Sequence, residues 1–269
     1  MATQAQVLAA FAKEPIEDAL TTLTTCTDPP TDRQLAEVAV ENSRVDLIEH
    51  LLGKGNPTWL FNRKDIVRKQ SKPMIEALIR GGWDITENLG GYCGCPLALA
   101  IFHRAPVSFL AWLLARGADP NGEPALVDHH GYPLRLAAML DDTPPETRKL
   151  LLDYGADVNF SKALHQAVRI GHFDFARLLV EEYGADVNAD DFDPDWICPN
   201  STWENGQGRP LHYAARNGDF HLVTYLLEKG ASIDPEDPNG YTPRMLAELA
   251  GHSEVRTLLA QREAGSGKH

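Results

Sequence analysis

The chain has 269 residues, 43% of them hydrophobic and 23% charged, enough apolar material for a folded protein to build its own core. Acidic residues outnumber basic ones 38 to 25, for a net charge of −13, and no dense run of Lys and Arg supplies the stripe that nucleic acid needs. No apolar run approaches the ~18 residues of a membrane span, and the N-terminus lacks the basic region of a secretory signal. The expectation is a cytosolic or nuclear protein with neither nucleic acid nor membrane as partner. Its four cysteines, Cys26, Cys93, Cys95 and Cys198, are then free thiols.

In chain order, residues 1–30 are expected to cap the N-terminus with two helices, near Gln6 to Ala12 and Ile16 to Leu23, closed by Pro29-Pro30. Arg33 to Pro57 reads as a helix pair ending at Gly55. Residues 58–86 read as keeping only a second helix, Met74 to Ile79, which ends at Gly82. The cations Arg63, Lys64, Arg68, Lys69 and Lys72 read as a solvated face.

Beyond this point two phrases recur in fixed order. One ends a helix with paired Leu, a Gly and a polar turn: Leu113-Leu114 to Gly117-Ala118-Asp119, then Leu151-Leu152 to Gly155-Ala156-Asp157-Val158-Asn159. Further copies end in Gly184-Ala185-Asp186-Val187-Asn188 and Gly230-Ala231-Ser232-Ile233-Asp234. A sharply ended helix places the residue after its cap in the left-handed region, where Gly carries no Cβ penalty. Leu226 and Leu178 are taken to lie on the buried stripe of such helices. The other phrase opens the partner helix: Arg209-Pro210-Leu211-His212-Tyr213-Ala214-Ala215, with relatives at Pro133, Ala163 and Pro243. Pro suits the first turn because its missing N–H has no partner there.

These phrases resemble the ankyrin family, whose repeat is a β-turn or hairpin followed by two antiparallel helices, about 33 residues in all. Pro210 and Pro243 stand 33 apart, and Asp237-Pro238-Asn239-Gly240-Tyr241-Thr242-Pro243 is close to the family's turn. The resemblance implies an all-α repeat solenoid of about seven repeats over residues 31–262, the first ones degenerate. Residues 263–269 are expected to be a disordered tail. The step from Gly184 to Gly230 is 46 residues, 13 longer than 33, so an insertion is placed near residues 189–208. It carries Trp196 and Trp203 among acidic residues. Either it folds back over the binding face or it packs on its own repeat.

No arrangement of residues points to catalysis, and an enzyme is the less favoured reading. Cys93-Gly94-Cys95 has the wrong spacing for a zinc knuckle and no second pair. Asp191-Phe192-Asp193-Pro194-Asp195 starts like a calcium loop, but Trp196 stands where Gly is needed and Thr202 where the bidentate Glu belongs. Gly265-Ser266-Gly267-Lys268 lacks the helix a phosphate loop requires. His165 and His212 hold the position where the resemblance implies a His that braces the turn. No metal and no cofactor is expected.

The resemblance further implies a concave groove lined by turn tips and first helices, binding a protein or peptide partner. Transferred by position, its residues are Phe102, His103, Met139, Leu140, Arg169, Ile170, Arg216 and Asn217 from the helices. Tyr92, His129, His130, Phe160 and Tyr241 join them from the turns, and Trp196 and Trp203 from the insertion. Aromatic, aliphatic and Arg side chains of this kind resemble interface hot spots. Alternatively, adjoining repeats or the insertion bury Met139, Leu140 and Ile170. The second functional reading is a small-molecule binder or unusual enzyme, with the insertion as lid and Trp196, Trp203, His129 and His130 enclosing a ligand.

Overall fold

The computed structural model describes residues 1–90, 94–122, 132–190 and 208–266. These residues form helices and turns with no strand among them; one isolated bridge joins Ala2 to Cys26. The chain divides into two compact units, residues 1–126 and 127–269.

In the N-terminal unit, α1 (Gln4–Lys13) and α2 (Ile16–Thr24) form the first pair. The pairs α3 (Asp32–Glu41) and α4 (Val45–Gly53), α5 (Arg63–Arg68) and α6 (Lys72–Arg80), and α7 (Pro96–Phe102) and α8 (Val107–Ala115) follow. In the C-terminal unit the pairs are α9 (Tyr132–Met139) and α10 (Pro145–Asp153), then α11 (Ala163–Arg169) and α12 (Phe173–Glu181). After residues 191–207 come α13 (Pro210–Asn217) and α14 (Phe220–Glu228), then α15 (Pro243–Leu249) and α16 (Ser253–Ser266). Setting aside the first, seven helix pairs are described.

Two local expectations are corrected. Residues 58–86 contain a first helix after all: Asn62 caps α5 by accepting the Asp65 amide at 3.3 Å, and Ile66 and Val67 are buried from it. The six-residue α5 lacks a Pro-Leu-His opening, which is why periodicity alone missed it. Helix α16 reaches Ser266, well into the tail expected to be disordered; Arg244 of α15 holds Glu263 at 3.0 Å there.

Helix starts follow from capping chemistry. Thr3 and Gln6 form a capping box on α1, and Thr31 and Gln34 form one on α3, each pair exchanging two bonds with backbone amides. Pro occupies the first turn of α6, α7, α10, α13 and α15.

Second-helix ends repeat one geometry. The amides of Asn56, Trp83, Ala118, Ala156 and Ala231 reach back five residues to the carbonyls of Leu51, Leu78, Leu113, Leu151 and Leu226, at 2.9–3.2 Å. This is a Schellman ending, with Gly230 at φ +90° as one instance of its left-handed residue. All five Leu are fully buried. Helix α12 departs by one residue: the Ala185 amide reaches back six, to Leu179. An extra residue among Glu181, Glu182 and Tyr183 shifts the frame, so Leu179 is the fully buried anchor. Leu178, taken from sequence as the core position, is only half-buried.

The turns after these helices are closed by Asp side chains. Asp119, Asp157, Asp186 and Asp237 each accept the amide two residues on, at 2.8–2.9 Å. The following Asn then ties one turn to the next. Asn159 Oδ1 accepts the Asp186 amide at 3.0 Å; Asn188 accepts the Ser232 amide at 2.8 Å and donates to the Gly230 carbonyl at 3.0 Å. The second link spans the long 184-to-230 step with the same connection used at the 29-residue step from Gly155 to Gly184 before it, and α11 packs on α13. The additional residues therefore leave the stacking of these two repeats unaltered.

Candidate functional site

In the C-terminal unit the first helices α9, α11, α13 and α15 lie side by side, each packed on the next. Met139, Arg169, Arg216 and Leu249 hold the same position on these four helices, two residues before the bend into the second helix. They form a row. Met139 is 38% exposed and Leu249 69%, while Arg169 is exposed and Arg216 half-buried. Leu140 and Ile170, one residue on, are half-buried.

The carbonyls at the ends of these helices are occupied from within the fold. Arg148 of α10 donates to Ala137 and Leu140 at 3.1 and 3.3 Å, Asn217 donates to the Arg169 carbonyl at 2.7 Å, and His252 Nε2 meets the Arg216 carbonyl at 3.0 Å. The side-chain amide of Asn217, a predicted groove residue, is thus engaged between repeats. Arg169 bonds Gln166 Oε1 at 3.0 Å and makes no ion pair among the described residues.

The two bracing His behave as positioned. His212 Nδ1 accepts the Arg209 amide at 3.1 Å, so the proton sits on Nε2, which donates to the Pro235 carbonyl at 3.0 Å. Burial, opposed by these backbone bonds, holds its pKa below the ordinary value of 6.5. His165 Nε2 meets the Ala189 carbonyl at 2.9 Å and Lys162 Nζ bonds the Asp190 carbonyl, pinning the chain where the insertion begins. A different His sits beside a cation: His172 Nε2 is 3.2 Å from Arg148 Nη2 and 3.8 Å from Asp141. Arg can only donate, so Nε2 accepts and the ring is neutral. Burial first and Arg148 second lower the His172 pKa, against Asp141.

Of the remaining predicted residues, Phe160 and Tyr241 are exposed on turns of the C-terminal unit. Phe102 and His103 belong to the N-terminal unit, at the exposed end of α7; their rings stand edge to face at 5.4 Å, and Arg68 Nε donates to His103 Nε2 at 3.2 Å. Tyr92, His129, His130, Trp196 and Trp203 lie outside the described residues. Sequence reading missed Leu249, although the 33-residue step that links Pro210 to Pro243 also carries Arg216 to Leu249. It also missed Trp59, 69% exposed in a short 3-10 turn, Thr58–Leu60.

Among the described residues no three His, Cys, Asp or Glu come together to hold a metal. The Cys95 thiol, at the cap of α7, is pushed up to about 11 by burial and is no nucleophile. A shallow hollow of about 500 Å³ between α14 and α16, edged by Phe220, Thr257 and Leu258, includes none of the predicted site residues. No helix among the described residues is long and apolar enough to cross a membrane.

The model of ankyrin repeats in three copies matches residues 97–191 and 195–267. The chain belongs to the ankyrin-repeat family. Similar stretches occur in far larger proteins. The potassium channel AKT1 of Oryza sativa subsp. indica is 45% identical over 56 residues, 21% of this chain and 6% of the channel. Alpha-latrocrustotoxin-Lt1a of Latrodectus tredecimguttatus is 26% identical over 189 residues, 69% of this chain and 10% of the toxin. A putative palmitoyltransferase, ZDHHC13 of Danio rerio, is 37% identical over 94 residues, 35% of this chain and 12% of that protein. The chain spans about a tenth or less of the channel and the toxin, so its ankyrin repeats, and not their whole activities, are what is shared.

Proposed function

We infer that this chain is a binding module that takes a protein or peptide segment along the first-helix face of its C-terminal unit. The carrying observation is the row Met139, Arg169, Arg216, Leu249: large apolar side chains left in solvent beside arginines, on helices rigidly stacked against one another. Arg and Met are residue types enriched at protein interfaces, and Leu249 adds a large exposed apolar surface beside them. Ankyrin-repeat domains in general serve protein–protein interaction, which supports the same reading. Nothing described favours an enclosed ligand pocket on this face.

The test is selection of binders from a displayed random-peptide library against the full chain, followed by affinity measurement on variants. Leu249→Ala and Arg216→Ala should each weaken the selected peptides, by about thirtyfold if the residue is a hot spot of ~2 kcal/mol. Glu181→Ala, on the second helix α12 and paired with Lys229 at 2.9 Å, should leave binding unchanged. Binding that survives the first two changes and disappears with the third would place the interface on the opposite side.

A further inference from the structure

We propose that the joint between the α9–α10 and α11–α12 pairs is an acid-sensitive switch, in which the His172 ring exchanges Arg148 for Asp141 on protonation and releases the bend at the end of α9. The device itself does not depend on the binding reading above; only its effect on the Met139 end of the row does.

Arg148 holds this joint together, and it is 6% exposed. Its Nε donates to the Ala137 carbonyl at 3.1 Å and its Nη2 to the Leu140 carbonyl at 3.3 Å, which fixes the end of α9. The guanidinium lies over the Phe175 ring of α12 at 4.9 Å, and Nη2 also meets His172 Nε2 at 3.2 Å. Among the described residues no carboxylate pairs with it, so its acceptors are two carbonyls and a neutral imidazole.

His172 is placed so that the ring alone can move. Its amide donates to the Ala167 carbonyl at 2.8 Å and its carbonyl accepts the Ala176 amide at 2.9 Å, so the backbone is held on both sides. Of the two carboxylates on the α9–α10 bend, Asp141 reaches the ring, with Oδ1 3.8 Å from Nε2. Other charges near the bend are engaged: Asp174 pairs with Arg177 at 3.7 Å, Arg169 bonds Gln166, and Asp219 caps α14. Arg148 and Asp141 therefore compete for one nitrogen. The neutral ring offers a lone pair, which suits the guanidinium. Protonated Nε2 carries a hydrogen instead and stands 3.2 Å from a buried cation. Screening is weak in a partly buried site, so the ring turns to the carboxylate and Arg148 loses an acceptor. Burial first and Arg148 second hold His172 below its ordinary pKa of 6.5, so the exchange falls below that pH. Because α9 stays packed on α11, the opening is confined to the bend.

His252 supplies the contrast within the chain. It follows the left-handed Gly251 as His172 follows Gly171, but its Nε2 meets a carbonyl, that of Arg216 at 3.0 Å. A carbonyl only accepts, so protonation leaves that bond intact. His212 does lose an acceptor on protonation, but its bond is to the Arg209 amide, so its effect is read at α13.

The tests are ring nitrogen chemical shifts and amide hydrogen exchange of the full chain from about pH 7.5 to 5.5, corrected for the intrinsic pH dependence of exchange. At the upper pH the His172 ring should carry its proton on Nδ1. On acidification, protection of the Leu140 and Thr143 amides, which bond the Leu136 and Leu140 carbonyls, should fall about tenfold or more, as a one-unit pKa difference would give. His172→Gln, whose side-chain oxygen accepts from Arg148 at every pH, should keep them protected throughout. Asp141→Asn should move the loss to lower pH, because the protonated ring then has no carboxylate to turn to, and His252→Gln should respond as the parent chain does. A His172 proton on Nε2 at neutral pH, protection unchanged by acid, an acid response that persists in His172→Gln, or an unmoved midpoint in Asp141→Asn overturns the proposal. Should His172→Gln not fold, the ring tautomer and the Asp141→Asn shift decide it.

Discussion

Helix α12 offers a sharp test of how this chain keeps its register. At the ends of five other second helices, the Leu whose carbonyl receives the returning amide is fully buried. In α12 that role falls to Leu179, six residues before Ala185 rather than five, while the adjacent Leu178 and Val180 are half-buried. Leu179→Ala removes a fully buried isobutyl group and leaves a cavity between packed helices, a cost of about 2–5 kcal/mol. Leu178→Ala takes away a side chain already half in water, and at ~25 cal/mol per Å² of apolar area it should cost about 1 kcal/mol. Leu226→Ala, at the equivalent position one repeat on, should match Leu179→Ala. Urea unfolding of the three variants followed by circular dichroism gives the comparison directly. With a slope of ~2 kcal/mol/M, Leu179→Ala should lower the midpoint by ~1 M or more and Leu178→Ala by about half that or less. Because each repeat is stabilised by its neighbours, the Leu179 loss should also reach the α9–α10 and α13–α14 pairs, seen as faster amide exchange there. Equal costs, or a larger cost at Leu178, would mean that the extra residue lies elsewhere and that the frame of α12 is wrong.

Three further outcomes are expected. Gly218 sits at φ +71° with its would-be Cβ 2.4 Å from the His252 ring, so Gly218→Ala should cost more than the ~1 kcal/mol of backbone strain alone; Ser43→Gly, Gln70→Gly and Arg104→Gly, at bends with φ of +54° to +57°, should instead stabilise by up to about 1 kcal/mol each, all read from melting curves. His172 and His212 are both held below 6.5 in the folded state, so folding favours their neutral forms: stability should be complete above that pH and fall as pH drops through the folded values, and His172→Gln should flatten the loss between pH 7.5 and 5.5 in urea titrations. With net charge −13, duplex DNA should not be retained at ~0.15 M salt, and micromolar binding in a gel-shift assay would contradict that.

Much of the repeat was legible because its punctuation is local. A Gly after paired Leu, Pro in a first turn, and Asp two residues before Asn each act through contacts a few residues away, so they can be read from a short window. The resemblance resting on those phrases led directly to the ankyrin-repeat family. Sequence reading failed where stacking takes the place of local chemistry. Ser43, Gln70 and Arg104 occupy left-handed bends that α11, α13 and α15 give to Gly171, Gly218 and Gly251. The N-terminal repeats therefore look degenerate in sequence while keeping the same helix–bend–helix backbone, held there by buried contacts such as Leu47, Ile66 and Leu97. The α12 register is similar, since burial against neighbouring helices, not distance from a Gly, decides which Leu anchors the core. Of the row from Met139 to Leu249, the family resemblance placed Met139, Arg169 and Arg216 by position, while Leu249 and the adjacency of all four come from the tertiary structure. Those four residues are spread over more than a hundred positions, and only the side-by-side packing of four helices makes them neighbours and turns isolated arginines into one face.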